Sequence, residues 1–233
     1  MSNTADVSPA GVGSYYQNTR KEIAPLLPAT LTSVLELGCG TGGTMKWLRS
    51  VRPIRFAAGI ELSAEAAEIA RSTFDAVEVG DVNAVPFDFA EKTFDAVIAL
   101  DVLEHLLDPA AVVRKMRDKI NPGGVFIASI PNISHISVSG PLFMKGHWEY
   151  RDEGLLDRTH LRFFNRRSAF RLFEDAGYRI VREETNWMPP DIFGLMSHPN
   201  RAVRWNARRV LGPIFRWPGH LFALQFLVAA QPV

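Results

Sequence analysis

Polar and apolar positions change period repeatedly along this chain. Short apolar runs of strand length, near 33–37, 56–61, 76–80, 94–100 and 124–130, alternate with stretches of helical spacing near 43–50, 63–73, 109–119 and 167–177. Such alternation predicts a parallel sheet with helices packed on both faces. The punctuation agrees. Ser63 stands where it can cap Ala64-Glu-Ala-Ala-Glu68, and Asp108-Pro109 places a capping acid before a proline at the first helical position. Asn121-Pro-Gly-Gly124 is expected to end that helix and turn the chain into Val125-Phe-Ile-Ala128. Gly177 should close the last core helix before a strand at 179–183. The late apolar run 221–230 is interrupted by Gln225 and is too short for a bilayer span of about 20 residues, so it reads as a buried strand.

Three stretches fall outside this alternation. Residues 1–13 are small and polar and are expected to be flexible; a helix carrying Tyr15, Tyr16, Ile23, Leu26 and Leu27 should follow, punctuated by Pro25 and Pro28. Residues 131–166 lack clear periodicity. A long connection after a strand's carboxyl end lies where α/β sheets bind ligands, so this one reads as a substrate cover. Residues 186–220 form an insertion before the last strand, with three tryptophans and the arginines Arg201, Arg204, Arg208, Arg209 and Arg216. Interleaved with Val203, Val210 and Leu211, these allow a basic amphipathic helix. It would suit either a solvated face or a peripheral contact with a membrane surface or acidic polymer. The organisation expected is one domain over 14–233.

Composition narrows the setting. A length of 233 residues fits one α/β domain with additions, and a net charge of +1 leaves no global footprint for nucleic acid. The single cysteine, Cys39, excludes an internal disulfide and suits a reducing cytoplasm. No secretory signal pattern is visible in Met1-Ser-Asn-Thr-Ala-Asp6. Oligomeric state is not legible.

The candidate chemistry begins at Val34-Leu-Glu-Leu-Gly-Cys-Gly-Thr-Gly-Gly43, an apolar strand running into a glycine-rich turn. Gly38, Gly40 and Gly43 satisfy the dinucleotide pattern G-x-G-x-x-G, while Gly38, Gly40 and Gly42 satisfy G-x-G-x-G. Further motifs follow in order: Gly59-Ile-Glu-Leu-Ser63, Gly80-Asp81, Phe94-Asp-Ala-Val-Ile98 and Asn121-Pro-Gly-Gly124. On these residues the chain resembles the class I S-adenosylmethionine-dependent methyltransferases, over roughly residues 15 to 185. The resemblance implies a Rossmann-like, doubly wound, mostly parallel seven-stranded sheet, with S-adenosylmethionine as cofactor. Gly38, Gly40 and Gly42 would let the backbone approach the methionine part. Glu36 would orient that loop or engage the cofactor's ammonium group. Glu61 would accept the ribose hydroxyls, Asp81 the adenine amino group, and Leu62 and Val82 would sandwich the adenine. Leu100, Tyr16 and Arg20 complete the expected cofactor contacts.

A second constellation is Asp101-Val-Leu-Glu-His105, followed much later by Asp157-Arg-Thr-His-Leu-Arg-Phe-Phe164. If the first forms one helical turn, Asp101, Glu104 and His105 project from one side. With His160 they resemble two metal-assisted groups, the ubiquinone-biosynthesis O-methyltransferases and the small-RNA 2′-O-methyltransferases. That likeness implies a divalent ion, Mg²⁺ or Mn²⁺ foremost, on Asp101, Glu104, His105 and His160, chelating two neighbouring hydroxyls. Relatives usually carry Glu where this chain has Asp101. Glu104, His105 and His160 are the candidate catalytic residues, and a neutral His160 could instead act alone as general base. The stretch from Pro131 to Phe164 also looks like methyltransferases from glycan gene contexts. A sugar or other vicinal-diol acceptor is therefore the first expectation, a catechol or quinone precursor the second and RNA the third. A non-catalytic scaffold is the remaining alternative.

Overall fold

The computed structural model describes residues 19–87, 89, 92–187, 202 and 219–233. The expectations for 1–13, Tyr15, Tyr16 and most of 186–220 lie outside the described residues. Seven strands form one sheet: β1 (Ser33–Leu37), β2 (Phe56–Glu61), β3 (Ala76–Val79), β4 (Phe94–Leu100), β5 (Ile120–Pro131), β6 (Tyr178–Trp187) and β7 (Ala223–Pro232). Their order is β3-β2-β1-β4-β5-β7-β6, with β7 antiparallel to both neighbours and the first five strands parallel. Among the described residues of 19–187, five α-helices accompany them: α1 (Gly43–Val51), α2 (Ala64–Ala70), α3 (Pro109–Met116), α4 (Ile136–Lys145) and α5 (Arg166–Glu174).

Alternation along β1 divides the core in two. Leu35 and Leu37 pack with Val112, Val113 and Met116 of α3 and Phe173 of α5; Val34 packs on the opposite face with Met45 and Leu48 of α1. Helices therefore cover both faces, and the strands read as near-continuous apolar runs because they are buried on both sides. The caps are as expected: Ser63 Oγ accepts from the Ala66 amide at 3.3 Å, and Asp108 Oδ1 accepts from the Ala111 amide at 2.9 Å.

Three local expectations need correction. Asn121-Pro-Gly-Gly124 lies within β5 instead of preceding it, because Ile120 already pairs with Phe94. A register shift then lets the strand resume at Val125 beside Ala96. The described part of the N-terminal helix is a 3₁₀ segment, Lys21–Leu26, since Pro25 supplies no amide to extend an α-helix. Residues 131–166 are not wholly irregular: α4 lies inside them, and Gly146 ends it in the left-handed region.

Candidate active site

The strand order reverses beside β1, and the carboxyl ends of β1, β2, β3 and β4 open into one cleft of about 880 Å³. Such an end of an open α/β sheet is where ligands bind. Glu36, Gly38 and Gly40 line it from the first strand, Glu61 and Leu62 from the second, Asp81 and Val82 after the third, and Leu100 and Asp101 from the fourth. Almost the whole set read from the motifs is thus assembled around one volume. Tyr16 lies outside the described residues.

The three turn glycines have different reasons. Gly38 has φ +64°, and a Cβ there would meet Val102 Cγ2 at 2.6 Å, so the turn must pack closely against the segment after β4. Gly40 has φ +54° and donates its amide to Glu61 Oε2 at 2.8 Å. Gly42, expected to approach the cofactor, does not line the cleft. It caps α1 at φ +85°, and a Cβ would press on Phe74 and Thr73 at 3.3 Å. Its glycine is required by the turn. Cys39 is buried against Gly59, and burial, assisted by Glu36 and Glu61, pushes its thiol far above the range of a nucleophile.

The carboxylates differ in how they are satisfied. Glu61 accepts from the amides of Gly40 and Ser63, which fixes its head at the cleft wall. Asp81 accepts through Oδ1 from the amide and side chain of Asn83. Glu36 is different: its Oε2 is buried with no hydrogen-bond partner, and burial plus the neighbouring Glu61 raises its carboxyl to about 8. A buried orphan oxygen at a cleft wall is costly unless a ligand cation or proton meets it. Leu62 is 73 % exposed while Val82 is buried, and both line the same cleft.

The second constellation assembles only in part. The helical turn expected from Asp101 to His105 fails at its first residue, because Asp101 has φ +56° and the 3₁₀ turn spans only Leu103–His105. Asp101 is instead turned toward the sheet. It pairs with Arg20 and accepts from Ser129 Oγ and Gln225 Nε2, each at 2.8 Å. It is therefore corrected from metal ligand to part of an ion-pair network. Arg20 lines the cleft, but its guanidinium is already shared among Glu22, Asp101, Ser129 and Gln225.

Glu104, His105 and His160 do converge: one ligand atom from each lies within 4.8 Å of the others. The Glu104 carbonyl draws the cover inward by accepting the amides of Leu161 and Arg162, each at 2.9 Å. Glu104 is 1 % exposed, and neither carboxylate oxygen has a partner; burial, reinforced by Asp101, raises its carboxyl well above the usual range. His160 Nδ1 lies 3.3 Å from the Leu155 carbonyl, and His105 Nδ1 lies 3.2 Å from the Thr159 carbonyl. A carbonyl can only accept, so in the neutral form of either ring the proton sits on Nδ1 and Nε2 keeps its lone pair. Burial and the adjacent His105 lower the His160 pKa, favouring its neutral form. Two lone-pair nitrogens beside an orphaned carboxylate suit a divalent cation, with the carbonyls fixing the rings from behind.

Sequence reasoning missed the groups that organise this half. Ser129, Gln225 and Thr159 hold Asp101 and His105 from β5, β7 and the cover, and no local pattern marks them. Among the described residues no helix is long and apolar enough to cross a membrane.

The model of a family described as a methyltransferase domain matches residues 13–183. The chain is 30 % identical over 210 residues to an uncharacterised 37.1 kDa protein in transposon TN4556 of Streptomyces fradiae, covering 84 % of this chain and 59 % of that protein. It is 34 % identical over 104 residues to a ubiquinone biosynthesis O-methyltransferase of Neisseria meningitidis, covering 42 % of this chain and 43 % of the enzyme. The chain thus spans less than two thirds of either relative's length. In fold it is similar to an S-adenosylmethionine-dependent methyltransferase from Mesorhizobium loti, with a TM-score of 0.60 at 17 % identity, covering 92 % of this chain and 99 % of that one.

Proposed function

From the premise that the chain belongs to the methyltransferase-domain family, we propose that it is an S-adenosylmethionine-dependent O-methyltransferase acting on a vicinal diol, foremost a sugar. The observation that carries the oxygen-acceptor reading is the convergence of Glu104, His105 and His160 beside the strand-tip cleft, with both Glu104 oxygens unpartnered. A relative bearing an O-methyltransferase name agrees with it.

The cofactor half follows from the strand tips. Glu36, with its orphaned oxygen, meets the cofactor's ammonium group; Glu61 takes the ribose hydroxyls with the lone pairs its two amide bonds leave free. Asp81 Oδ2, which has no hydrogen-bond partner among the described residues, accepts from the adenine amino group, and Leu62 and Val82 hold the ring. In the acceptor half, Glu104, His105 and His160 would hold a divalent ion, Mg²⁺ or Mn²⁺ foremost, whose chemistry is to lower the pKa of a coordinated hydroxyl. The chain's own task is then alignment: the carbonyls of Leu155 and Thr159 fix both imidazoles, and the clamp on the Glu104 carbonyl holds the cover against them.

A second reading has its own observation. His160 is favoured neutral with Nε2 available, so it can accept the hydroxyl proton directly without a metal. Chelator treatment separates the two. Methyl transfer to a panel of sugar and catechol diols should disappear in excess chelator and return with Mg²⁺ or Mn²⁺, while calorimetric binding of S-adenosylhomocysteine stays unchanged. Full activity in chelator, with no metal found in the protein, would reject the metal and leave His160 as base. No binding of S-adenosylhomocysteine in either state would leave only a non-catalytic scaffold.

A further inference from the structure

The cover carries an aromatic cluster that neither the cofactor cleft nor the histidine pair uses. Trp148, Tyr150 and Phe163 meet with ring centroids 5.3 to 6.2 Å apart; Tyr150 and Phe163 stand at 84° and 82° to the indole. Rings of a loop's own small core are normally covered. Here Trp148 is 37 % exposed and Tyr150 48 % exposed. The indole N–H and the phenol hydroxyl have no hydrogen-bond partner among the described residues. Aromatic faces open to water with free polar tips suit a ligand that is apolar on its faces and polar at its edges.

The cluster is continuous with the candidate active site. Phe163 lies 6.4 Å from His160, and His160 lies 4.8 Å from His105, each measured between ring centroids. An acceptor with one ring at the histidines is thereby led outward along the cover to Trp148. The surrounding charge limits what that acceptor is. Residues 145–158 hold the carboxylates Glu149, Asp152, Glu153 and Asp157 against the cations Lys145, Arg151 and Arg158. Arg158 is already paired with Asp152 at 2.8 Å, His147 lies 3.5 Å from Glu149, and Asp157 Oδ1 accepts from Thr159, which leaves Glu153 and the second oxygens of the others. A phosphate backbone needs a basic footprint, and residues 145–158 by themselves do not offer one. Carboxylates at the rim instead accept from hydroxyls.

We propose that Trp148, Tyr150 and Phe163 form an acceptor subsite for a neutral sugar ring adjacent to the one that is methylated, so that the substrate is an oligosaccharide or glycoside. The C–H face of the sugar lies on the negative faces of the rings, and its hydroxyls reach Tyr150 and the rim carboxylates. This deepens the sugar reading above and rests on it for the reaction, though not for the binding.

The test reads binding directly. In full-length protein labelled with 5-fluorotryptophan, the Trp148 resonance is identified by its loss in Trp148→Phe. Maltose or cellobiose should shift that resonance saturably, with glucose requiring a several-fold higher concentration. Tyr150→Ala should weaken the disaccharide effect about five- to tenfold, and Tyr150→Phe, which keeps the ring, by no more than about twofold. A Trp148 resonance that responds to neither disaccharide overturns the subsite. So does one that responds only to 3,4-dihydroxybenzoate or oligouridylate, or a Tyr150→Ala variant with unchanged affinity. Calorimetry with S-adenosylhomocysteine on the same sample reports separately on the methyltransferase reading, whose failure would leave the sugar response to stand or fall by itself.

Discussion

The two halves of the cleft solve the same problem, holding carboxylates out of water, in opposite ways. On the cofactor side Glu61 is tied to two backbone amides that lie within the same strand-and-turn framework, so its head is fixed before any ligand arrives. On the acceptor side Glu104 is more deeply buried yet has no partner for either oxygen, and one ring nitrogen of each histidine lies within 4.8 Å of its carboxylate. The first half is preorganised by its own backbone. The second leaves its carboxyl to be neutralised by a proton or by a cation, since a buried unpaired carboxylate is stable only as an acid or beside a cation. Glu36 shares that character within the cofactor half, with one unpartnered oxygen and a carboxyl raised to about 8.

The largest expected effect tests whether the halves act separately. His160→Ala should lower methyl transfer roughly 10²- to 10⁴-fold while leaving S-adenosylhomocysteine affinity within about twofold, measured by mass spectrometry of methylated product and by calorimetry. A parallel loss of cofactor affinity would show that the cover belongs to both halves.

Arg20 sits at the border. Its removal in Arg20→Ala leaves Asp101 with Ser129 and Gln225 but without its cation, and should cost about 1–3 kcal/mol. Thermal unfolding should register this as a drop of several degrees in Tm. Unchanged stability with weakened cofactor binding would place Arg20 wholly in the cofactor half.

The smallest effect concerns Glu36. Its carboxyl is raised from 4.5 to about 8, so in the free protein it contributes stability that is fully present below the unfolded value and is lost as pH rises through the folded one. Pairing with a ligand ammonium reverses the preference and expels the proton. Near pH 7, binding of S-adenosylhomocysteine should release close to one proton, and at about pH 9 almost none, read by calorimetry in buffers of different ionisation enthalpy. Glu36→Gln should abolish the release. A release that persists in the variant would assign the proton elsewhere.

How much of this was legible depends on where the determining contacts lie along the chain. Strands β1, β2 and β4 coincide with the apolar runs read from the pattern, and α2 and α3 begin at the caps expected of Ser63 and Asp108, because period and capping are local properties. The order of Glu36, Glu61 and Asp81 along the sequence was likewise enough to bring them to one cleft, since successive parallel strands all end on the same side of a sheet. The four-residue spacing of Asp101 and His105 misled, because a helical face presupposes helical backbone and Asp101 does not adopt it.

By itself, then, the sequence determined the α/β alternation and the helix starts, which follow from local periodicity and capping, while the strand-tip acids and the histidine pair were named by resemblance to a family. Only the tertiary structure decided which of them meet. Asp101 was drawn from the histidines to Arg20, Ser129 and Gln225, and His160 was brought to His105 by backbone bonds between Glu104 and the cover. Gly42 was placed where an added Cβ would press on Phe74 and Thr73. These outcomes rest on contacts between residues far apart in the chain. Which donor reaches a carboxylate first is set by how β5, β7 and the cover pack against one another, and no local spacing encodes that.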